Sequence, residues 1–253
     1  TSESTPMACV YFRKNSGTYT LYCILSPVFM KAETKMKVLS NALLMFRREQ
    51  PDEIVIDRFY FNTVHTINQC IIDNEPISAQ SGLSVSLCTD SNSWFNDYIP
   101  TLMFSLLEMG HTVSWAHKYD DLSGGDVCFL LSYEEVINKD QLDKFKNNLV
   151  VHESNLPKGR GWSPMTWQIL EGVEQIPVIL FEADKNVDSG PIYLKENIFL
   201  KGDELVNDWK FLQAKATVKL CKDFVKKYPE ILDKAHAQLG DASYYPRRNL
   251  DDS

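Results

Sequence analysis

Short apolar runs alternate with amphipathic segments along most of the chain. Apolar, strand-like runs occupy residues 83–88, 111–117, 125–133, 147–153, 176–183 and 190–200. Segments whose apolar residues recur every three or four positions predict helices at 97–110, 163–172 and 203–232. Strands that alternate with helices are typical of a parallel α/β sheet. In such sheets the ligand site lies at the carboxyl ends of the strands.

The first eighty residues form a separate pattern. A strand, a turn and a second strand are predicted at 8–25, and a helix at 31–49. A further strand at 52–61 precedes a helix capped by Asn62. The polar stretch 73–82 contains Pro, Ser and Gly and marks the boundary. The sequence therefore predicts a small α/β segment at 1–82 and a larger α/β domain at 83–253.

Composition excludes several classes of protein. The hydrophobic fraction of 44% is ordinary for a globular protein, and a net charge of −8 argues against a general nucleic-acid binder. The sequence has no apolar run near the ~20 residues of a membrane span, and its first residues lack a signal pattern. The six cysteines are scattered, so we expect reduced core thiols and no metal site in a cytoplasmic protein.

The stretch 149–161 combines a buried strand with reactive side chains. An apolar run leads directly into His152, and a loop with Gly159 and Gly161 follows. Asp188 lies in a polar loop between two apolar strands, where it can turn back toward the strand ends. A carboxylate beside a histidine holds its tautomer. Taken singly, a histidine is more often a surface or core residue and an aspartate a turn-former.

The motifs "HESNLPKGRGWSPMTWQILEG" and "VDSGPIY" resemble the formyltransferase family, which includes methionyl-tRNA, glycinamide ribonucleotide and sugar formyltransferases. The resemblance covers about 83–253 and is nearest the branch that acts on nucleotide-linked amino sugars. It implies a Rossmann-like, mostly parallel sheet. It also implies formyl transfer from 10-formyltetrahydrofolate to an amine, with His152 and Asp188 as the catalytic pair. Both side chains are expected at solvent-facing strand ends.

One position departs from the family pattern. The family has an asparagine two residues before the histidine, where it donates to the oxyanion, and this chain has Val150 there. Asn148 lies on the same face of the strand but further from the site. Asn155, in the loop after His152, is the predicted substitute. Loss of an oxyanion donor typically costs about 100- to 1000-fold in rate, so a catalytically silent binding module is an alternative.

The resemblance implies two further groups of contacts. The "LLSYEEVI" segment matches the place where the family holds the folate, which assigns Leu131, Tyr133, Glu134, Glu135, Val136 and, from the later loop, Asp184. Cations in a glycine-rich loop suit a diphosphate, and aromatic rings stack on a base. These assignments give the substrate-binding set Trp94, Asn96, Lys158, Arg160, Tyr245 and Arg247, with Tyr244 and Arg248 as alternatives. For Lys158 and Arg160 the alternative is a solvated loop, and for Trp94 it is a core position.

Residues 1–82 are similar to the second half of a GNAT acetyltransferase. The segment that would be the pyrophosphate loop, residues 28–35, has no glycine, so backbone amides cannot approach a pyrophosphate freely. Three interpretations of this segment remain open: an inactive relic of such a domain, a docking piece, or an unrelated α/β appendage. The leading hypothesis is an N-formyltransferase for a nucleotide-linked 4-amino-4,6-dideoxy sugar. The alternatives are the silent binding module and a two-function acyltransferase that also uses acetyl-CoA. A homodimer is compatible with the sequence.

Overall fold

The structure is a computed structural model, which describes the strands at 9–15, 18–24 and 53–57 and the continuous range 82–247. The chain forms two compact units, Thr1–Asp126 and Val127–Ser253. The helices predicted at 31–49 and after Asn62 lie outside the described residues, as does most of the predicted boundary. The division between the units falls inside a strand, and the domain boundary at residue 82 stays a prediction.

In the described part of the first unit there are five complete strands, which belong to one sheet. The strands are β1 (Cys9–Asn15), β2 (Thr18–Ile24), β3 (Glu53–Asp57), β4 (Ser84–Cys88) and β5 (Thr112–Ala116), in the spatial order β1-β2-β3-β5-β4. The predicted first hairpin is confirmed, because β1 pairs antiparallel with β2. Strand β4 runs parallel to β5, and helix α1 (Ile99–Glu108) connects them. A proline at its second position starts α1, and its apolar face is buried.

Strand β6 (Gly125–Leu130) begins in the first unit and ends in the second. The second unit continues with α2 (Lys139–Leu142), β7 (Phe145–His152), β8 (Arg160–Gly161), α3 (Pro164–Leu170), β9 (Gln175–Glu182), β10 (Ile192–Phe199), α4 (Val206–Lys226) and β11 (Tyr244–Tyr245). Strand β9 pairs antiparallel with both β7 and β10. Nine residues, 183–191, join β9 to β10, which is too short for a parallel crossover.

Helix α4 covers β9 and β10 with one apolar face. Its buried positions recur at three- and four-residue spacing, which places them on one side: Ala214, Thr217, Leu220, Cys221 and Phe224. The Phe224 ring lies 5.1 Å from that of Tyr193 on β10. The helix was predicted to reach residue 232 but ends at Lys226, because Pro229 lacks the amide that a continued helix needs.

Three cysteines of the described range test the prediction of reduced core thiols. Cys88, Cys128 and Cys221 are buried thiols, which confirms the core position of these three. Burial raises the pKa of the Cys221 thiol far above its ordinary value, so this residue is an unreactive packing group. Among the described residues, no helix has the length and apolar character needed to cross a membrane.

Candidate active site

The predicted pair comes together at the carboxyl end of β7. His152 is the last residue of that strand, and its Nδ1 lies 3.8 Å from Oδ2 of Asp188. Both side chains are buried, with 7% and 10% of their surfaces exposed. The expected position at a strand end is confirmed for His152, whereas Asp188 lies in the loop 183–191, and the expected solvent exposure is wrong for both side chains. The His152 ring packs edge-on against Phe181, and loop 153–161 folds back over it.

Backbone groups of loop 153–161, here called the glycine loop, contact both His152 and Asp188. The Nε2 atom of His152 is 2.7 Å from the carbonyl oxygen of Gly159. The backbone amide of Gly161 donates to Oδ2 of Asp188 at 2.8 Å. Because a carbonyl oxygen only accepts, Nε2 must carry the hydrogen of that bond. Nδ1, which faces Asp188, is therefore the nitrogen that has a lone pair when the ring is neutral.

Glycine is required at both loop positions for steric reasons. Gly159 and Gly161 have φ values of 72° and 102°, in the left-handed region. A Cβ at Gly159 would lie 2.8 Å from the ring of Tyr245, and one at Gly161 would lie 2.3 Å from the carbonyl oxygen of Tyr245. Asp188 also has a positive φ, 50°, which aspartate tolerates better than most residues.

Residues 236–247, here called the C-terminal strap, hold this loop from outside. Strand β11 pairs in parallel with β8, and the hydroxyl of Ser243 accepts a hydrogen bond from the Gly159 amide at 2.9 Å. Tyr245 stacks on Trp167 at 6.1 Å and an angle of 9°, and its hydroxyl donates to Glu171. Burial, followed by the Glu171 carboxylate, raises the pKa of Tyr245 to about 12. Tyr245 is thus a packing residue of the loop, and its contact with a base stays a prediction.

Glu153 is a functional candidate that sequence reasoning missed. The residue as a whole is half-buried, but its carboxyl lies among protein atoms beside Gln213. Burial raises the pKa of this carboxyl, and the nearby His152 opposes the rise. The available signal was its place immediately after the histidine, where an acid is seldom needed for a turn.

The three candidates for an oxyanion donor have different surroundings. Val150 packs against the apolar cluster formed by Leu156, Ile179, Phe181 and Ile192. Asn148 is buried, and its Nδ2 donates to the carbonyl oxygen of Leu142 at 2.8 Å. Asn155 is exposed in the loop after His152, and its Oδ1 accepts from Lys195 at 2.8 Å. This contact leaves the amide nitrogen as the donor end of Asn155, whose catalytic role stays a prediction.

The two loop cations differ in how they are held. Lys158 is exposed. Arg160 is half-buried, and one terminal nitrogen donates to Oε1 of Gln238 at 2.6 Å. Its Nε is buried without a hydrogen-bond partner. The Arg160 guanidinium is therefore held by a side-chain contact, whereas Lys158 is exposed. The contacts of both residues with phosphate stay predictions.

The predicted folate segment follows β6 as an exposed loop. Leu131 is buried, whereas Glu134, Glu135 and Val136 are exposed, and the Tyr133 hydroxyl donates to Glu135 at 2.6 Å. Arg247, which was predicted to bind the substrate, forms an ion pair with Glu134 at 3.0 Å.

Arg247 and Asp184 make further contacts of their own. Arg247 also lies over the Trp162 ring, 5.6 Å from its centroid. Asp184, in the loop after β9, is exposed and accepts from the amide of Lys185. Arg247 thus links the strap to the predicted folate segment, and both ligand assignments stay predictions.

In the first unit, the predicted substrate residues follow β4. Trp94 is half-buried and makes edge contacts with Phe95 and Tyr98. Asn96 is buried; its Oδ1 accepts from Thr89 and its Nδ2 donates to the carbonyl oxygens of Asp90 and Ser91. These contacts give Asn96 a structural role in the loop. Contact of either residue with a substrate stays a prediction.

The arrangement defines an α/β protein with a buried histidine–aspartate pair at the end of a strand. Residues 109–210 match the family model for Formyl transferase. The site residues from Leu131 to Asp188 all fall inside the match. The predicted α/β formyltransferase fold is confirmed.

Relatives and solved structures agree with this family. The chain is 27% identical over 161 residues to methionyl-tRNA formyltransferase of Rickettsia prowazekii, covering 62% of this chain and 52% of the relative. The Coprothermobacter proteolyticus enzyme is 31% identical over 133 residues, covering 51% and 43%. The chain thus spans about half the length of the curated relatives it matches.

Methionyl-tRNA formyltransferase from Clostridium thermocellum has the same fold, with a TM-score of 0.53, 21% identity and coverage of 67% of this chain and 74% of that one. HypX from Aquifex aeolicus, solved in complex with tetrahydrofolic acid, matches with a TM-score of 0.55, 16% identity and coverage of 68% and 31%.

Proposed function

We propose that this chain transfers a formyl group from 10-formyltetrahydrofolate to the amino group of a nucleotide-linked 4-amino-4,6-dideoxy sugar. The observation that carries the proposal is the buried His152–Asp188 pair, 3.8 Å apart inside the segment that matches the formyl transferase family. A titratable base held by a carboxylate is what deprotonation of an attacking amine requires.

The residues divide the chemistry among them. The folate supplies an activated formyl carbon when it is bound. Nδ1 of His152 takes the proton that the amine loses as its nitrogen bonds to the formyl carbon, and it returns a proton to the donor nitrogen as the bond from that carbon to the donor breaks. Nε2 stays bonded to the Gly159 carbonyl throughout. Asp188 faces the protonated Nδ1 and is itself fixed by the Gly161 amide. The formyl oxygen needs a donor as it gains charge, and the Asn155 amide nitrogen is the nearest candidate in the loop sequence.

The chemistry of the segment after β6 fits a folate. Residues 132–136 form neither helix nor strand, so their backbone groups are not committed to a sheet ladder. Val136 presents an apolar side chain to solvent, 62% exposed, beside the Glu134 and Glu135 carboxylates. A pterin ring combines an apolar face with amino and ring N–H donors, and these groups are complementary to it.

The basic loop supports a phosphate-bearing acceptor. Arg160 and Lys158 flank Gly159 within one short turn, and the Arg160 guanidinium is already oriented by Gln238. A preoriented guanidinium binds phosphate oxygens with less loss of side-chain freedom than a mobile one. The class of sugar in the acceptor is chosen from the resemblance of the loop sequence.

One observation favours a second candidate, a formyltransferase-fold binding module without turnover. Val150 occupies the position of the family's donor and lies in an apolar cluster, where it offers no hydrogen bond. If no other group donates to the oxyanion, the expected loss is about 100- to 1000-fold in rate. Such a protein would retain the folate and nucleotide-sugar contacts.

Two measurements on the whole chain separate these candidates. Titration calorimetry with 5-formyltetrahydrofolate, a stable analogue of the formyl donor, should show binding, and its absence contradicts both candidates. A coupled assay with UDP- and dTDP-linked 4-amino-4,6-dideoxy sugars should then show formyl transfer. Binding of both ligands without turnover favours the binding module.

A further inference from the structure

Gln238 contacts two different loops with one side-chain amide. Its Nε2 is 2.9 Å from the carbonyl oxygen of Asp188 and 2.9 Å from that of Gly190. Its Oε1 accepts from the Arg160 guanidinium at 2.6 Å. All three partners lie at least 48 residues away in the sequence. The amide therefore uses its donor end on the aspartate loop and its acceptor end on the basic loop.

The aspartate loop needs such a contact. Asp188 adopts a positive φ of 50°, which an L-residue holds only when its surroundings fix it. Gly190 approaches β9 so closely that a Cβ there would lie 1.8 Å from the carbonyl oxygen of Glu182. The two carbonyl groups that flank Ser189 both point to Gln238, which satisfies them together.

The strap is anchored beside this residue. His236 and Ile192 exchange backbone hydrogen bonds at 2.8 and 3.0 Å, which fixes the chain two residues before Gln238 to the start of β10. Gln238 thus starts from a defined backbone position, whereas its neighbour Leu239 is 86% exposed.

We propose that Gln238 is a positioning residue that sets the aspartate of the His152–Asp188 pair and the Arg160 cation in register with each other. It acts through Asp188 and Arg160 and does not itself touch the reacting atoms. The kinetic part of this inference rests on the proposed function, because it needs the transfer reaction. The structural part concerns only the loops and stands without it.

Different substitutions separate the two ends of the amide. Gln238→Met removes both ends with little change in size. Gln238→Glu keeps an acceptor for Arg160 but loses the donors to Asp188 and Gly190. Arg160→Met leaves those donors in place and removes only the cation. Leu239→Ala, at the exposed neighbouring position, is the control that should leave turnover unchanged.

The first readout is hydrogen–deuterium exchange of the Gly161 amide, which donates to Asp188 Oδ2. Q238M and Q238E should each speed this exchange by about 10-fold or more, because the aspartate loop loses its two contacts. R160M and L239A should not. Unchanged exchange at Gly161 in both Gln238 variants overturns the positioning role, whatever the enzyme assay shows.

The second readout is steady-state kinetics with the amino-sugar nucleotide that the wild type formylates. Q238E should lower kcat by about 10- to 100-fold at nearly unchanged acceptor KM, since small displacements of a catalytic group have effects of this size. R160M should mainly raise the acceptor KM. If Q238E and R160M have equal effects on kcat and on KM, the proposed division of roles between the two ends of the Gln238 amide is contradicted. If the wild type itself has no turnover, the proposed function fails, and the exchange data alone decide the role of Gln238.

Discussion

Nε2 of His152 lies 2.7 Å from the carbonyl oxygen of Gly159, seven residues further along the chain. This contact fixes which nitrogen can react, because the hydrogen must sit on Nε2 and only Nδ1 is left to accept a proton. Asp188 lies on the Nδ1 side. The backbone of the glycine loop therefore selects the tautomer, and the carboxylate faces the nitrogen that changes its protonation state.

The catalytic pair gives the first prediction. His152→Asn and Asp188→Asn should each lower the rate of formyl transfer by at least ~100-fold, the usual contribution of a positioned base. Circular dichroism should show that the fold is kept. His236→Asn is the matched control, since His236 is exposed and contacts Ile192 through its backbone. Wild-type turnover in the His152 variant would show that the site is assigned to the wrong residues.

Two glycines with similar backbone angles give the second prediction. Gly161→Ala should destabilise the protein by about 2–5 kcal/mol, because it combines left-handed strain with a contact of 2.3 Å to the Tyr245 carbonyl. Gly172→Ala has the strain, at a φ of 74°, but no atom within 4 Å, and should cost only about 1–2 kcal/mol. Chemical denaturation measures both losses. Faster proteolysis of residues 236–247 in G161A alone should accompany them, and equal behaviour of the variants would contradict the steric argument.

The buried carboxyl of Glu153 gives the third prediction. Its pKa in the folded protein is raised above the ordinary value of 4.5, mainly by burial. The contribution of this carboxyl to the free energy of unfolding is therefore most favourable below pH 4.5, and this stability is lost as the pH rises through the pKa of the folded protein. Glu153→Gln removes the buried charge, so Tm should rise by a few degrees at pH 8 and the gain should shrink toward pH 5.

Glu182→Gln is the control for that experiment. Burial also raises the pKa of Glu182, but its carboxyl accepts hydrogen bonds from Asn147, the Asn148 amide and Tyr193. A glutamine side chain would place its NH₂ group against groups that donate hydrogen bonds, so the Tm of this variant should fall at pH 8. A gain in both variants would mean that loss of charge alone, regardless of neighbours, explains the result.

The exposed cation of the loop gives the fourth prediction. Lys158→Ala should raise the KM of the nucleotide-linked acceptor about 3- to 10-fold at low salt, with a smaller change in kcat, since it removes one phosphate contact. The effect should weaken at 0.5 M NaCl. Lys201→Ala, an exposed lysine beyond the opposite end of β10 from Ile192, should change neither constant. If neither K158A nor K201A changes the acceptor KM, Lys158 does not belong to the acceptor site.

Local patterns predicted the elements that carry the site. Alternating strands and helices located β7 and β9, and the position of His152 after an apolar strand placed it at the strand end. These features depend on hydrophobic periodicity, which is written in the sequence. Asp188 reaches His152 from the loop of nine residues after β9, although β9 runs antiparallel to β7 and ends beside Leu149, which the sequence did not indicate.

The contacts that orient the pair could not be read in the same way. The Gly159 carbonyl, the Ser243 hydroxyl and the Gln238 amide act through distances that only the folded chain defines. Burial of His152 was missed because loop 153–161 folds back over it, and no periodicity encodes that path. The ion pair of Arg247 with Glu134 was not predicted, since charge in a sequence does not name its partner, and its substrate contact stays a prediction.

The pairing of β8 with β11 also sets a time order during synthesis. The Gly159 amide bonds to Ser243, 84 residues later, so the glycine loop lacks this support while the intervening chain is being made. At about 5–20 residues per second, a ribosome needs roughly 4–17 seconds for that stretch. During this interval the loop that selects the His152 tautomer lacks its contact with the strap. The glycine loop of the nascent protein therefore gains this support only after residue 243 has been made.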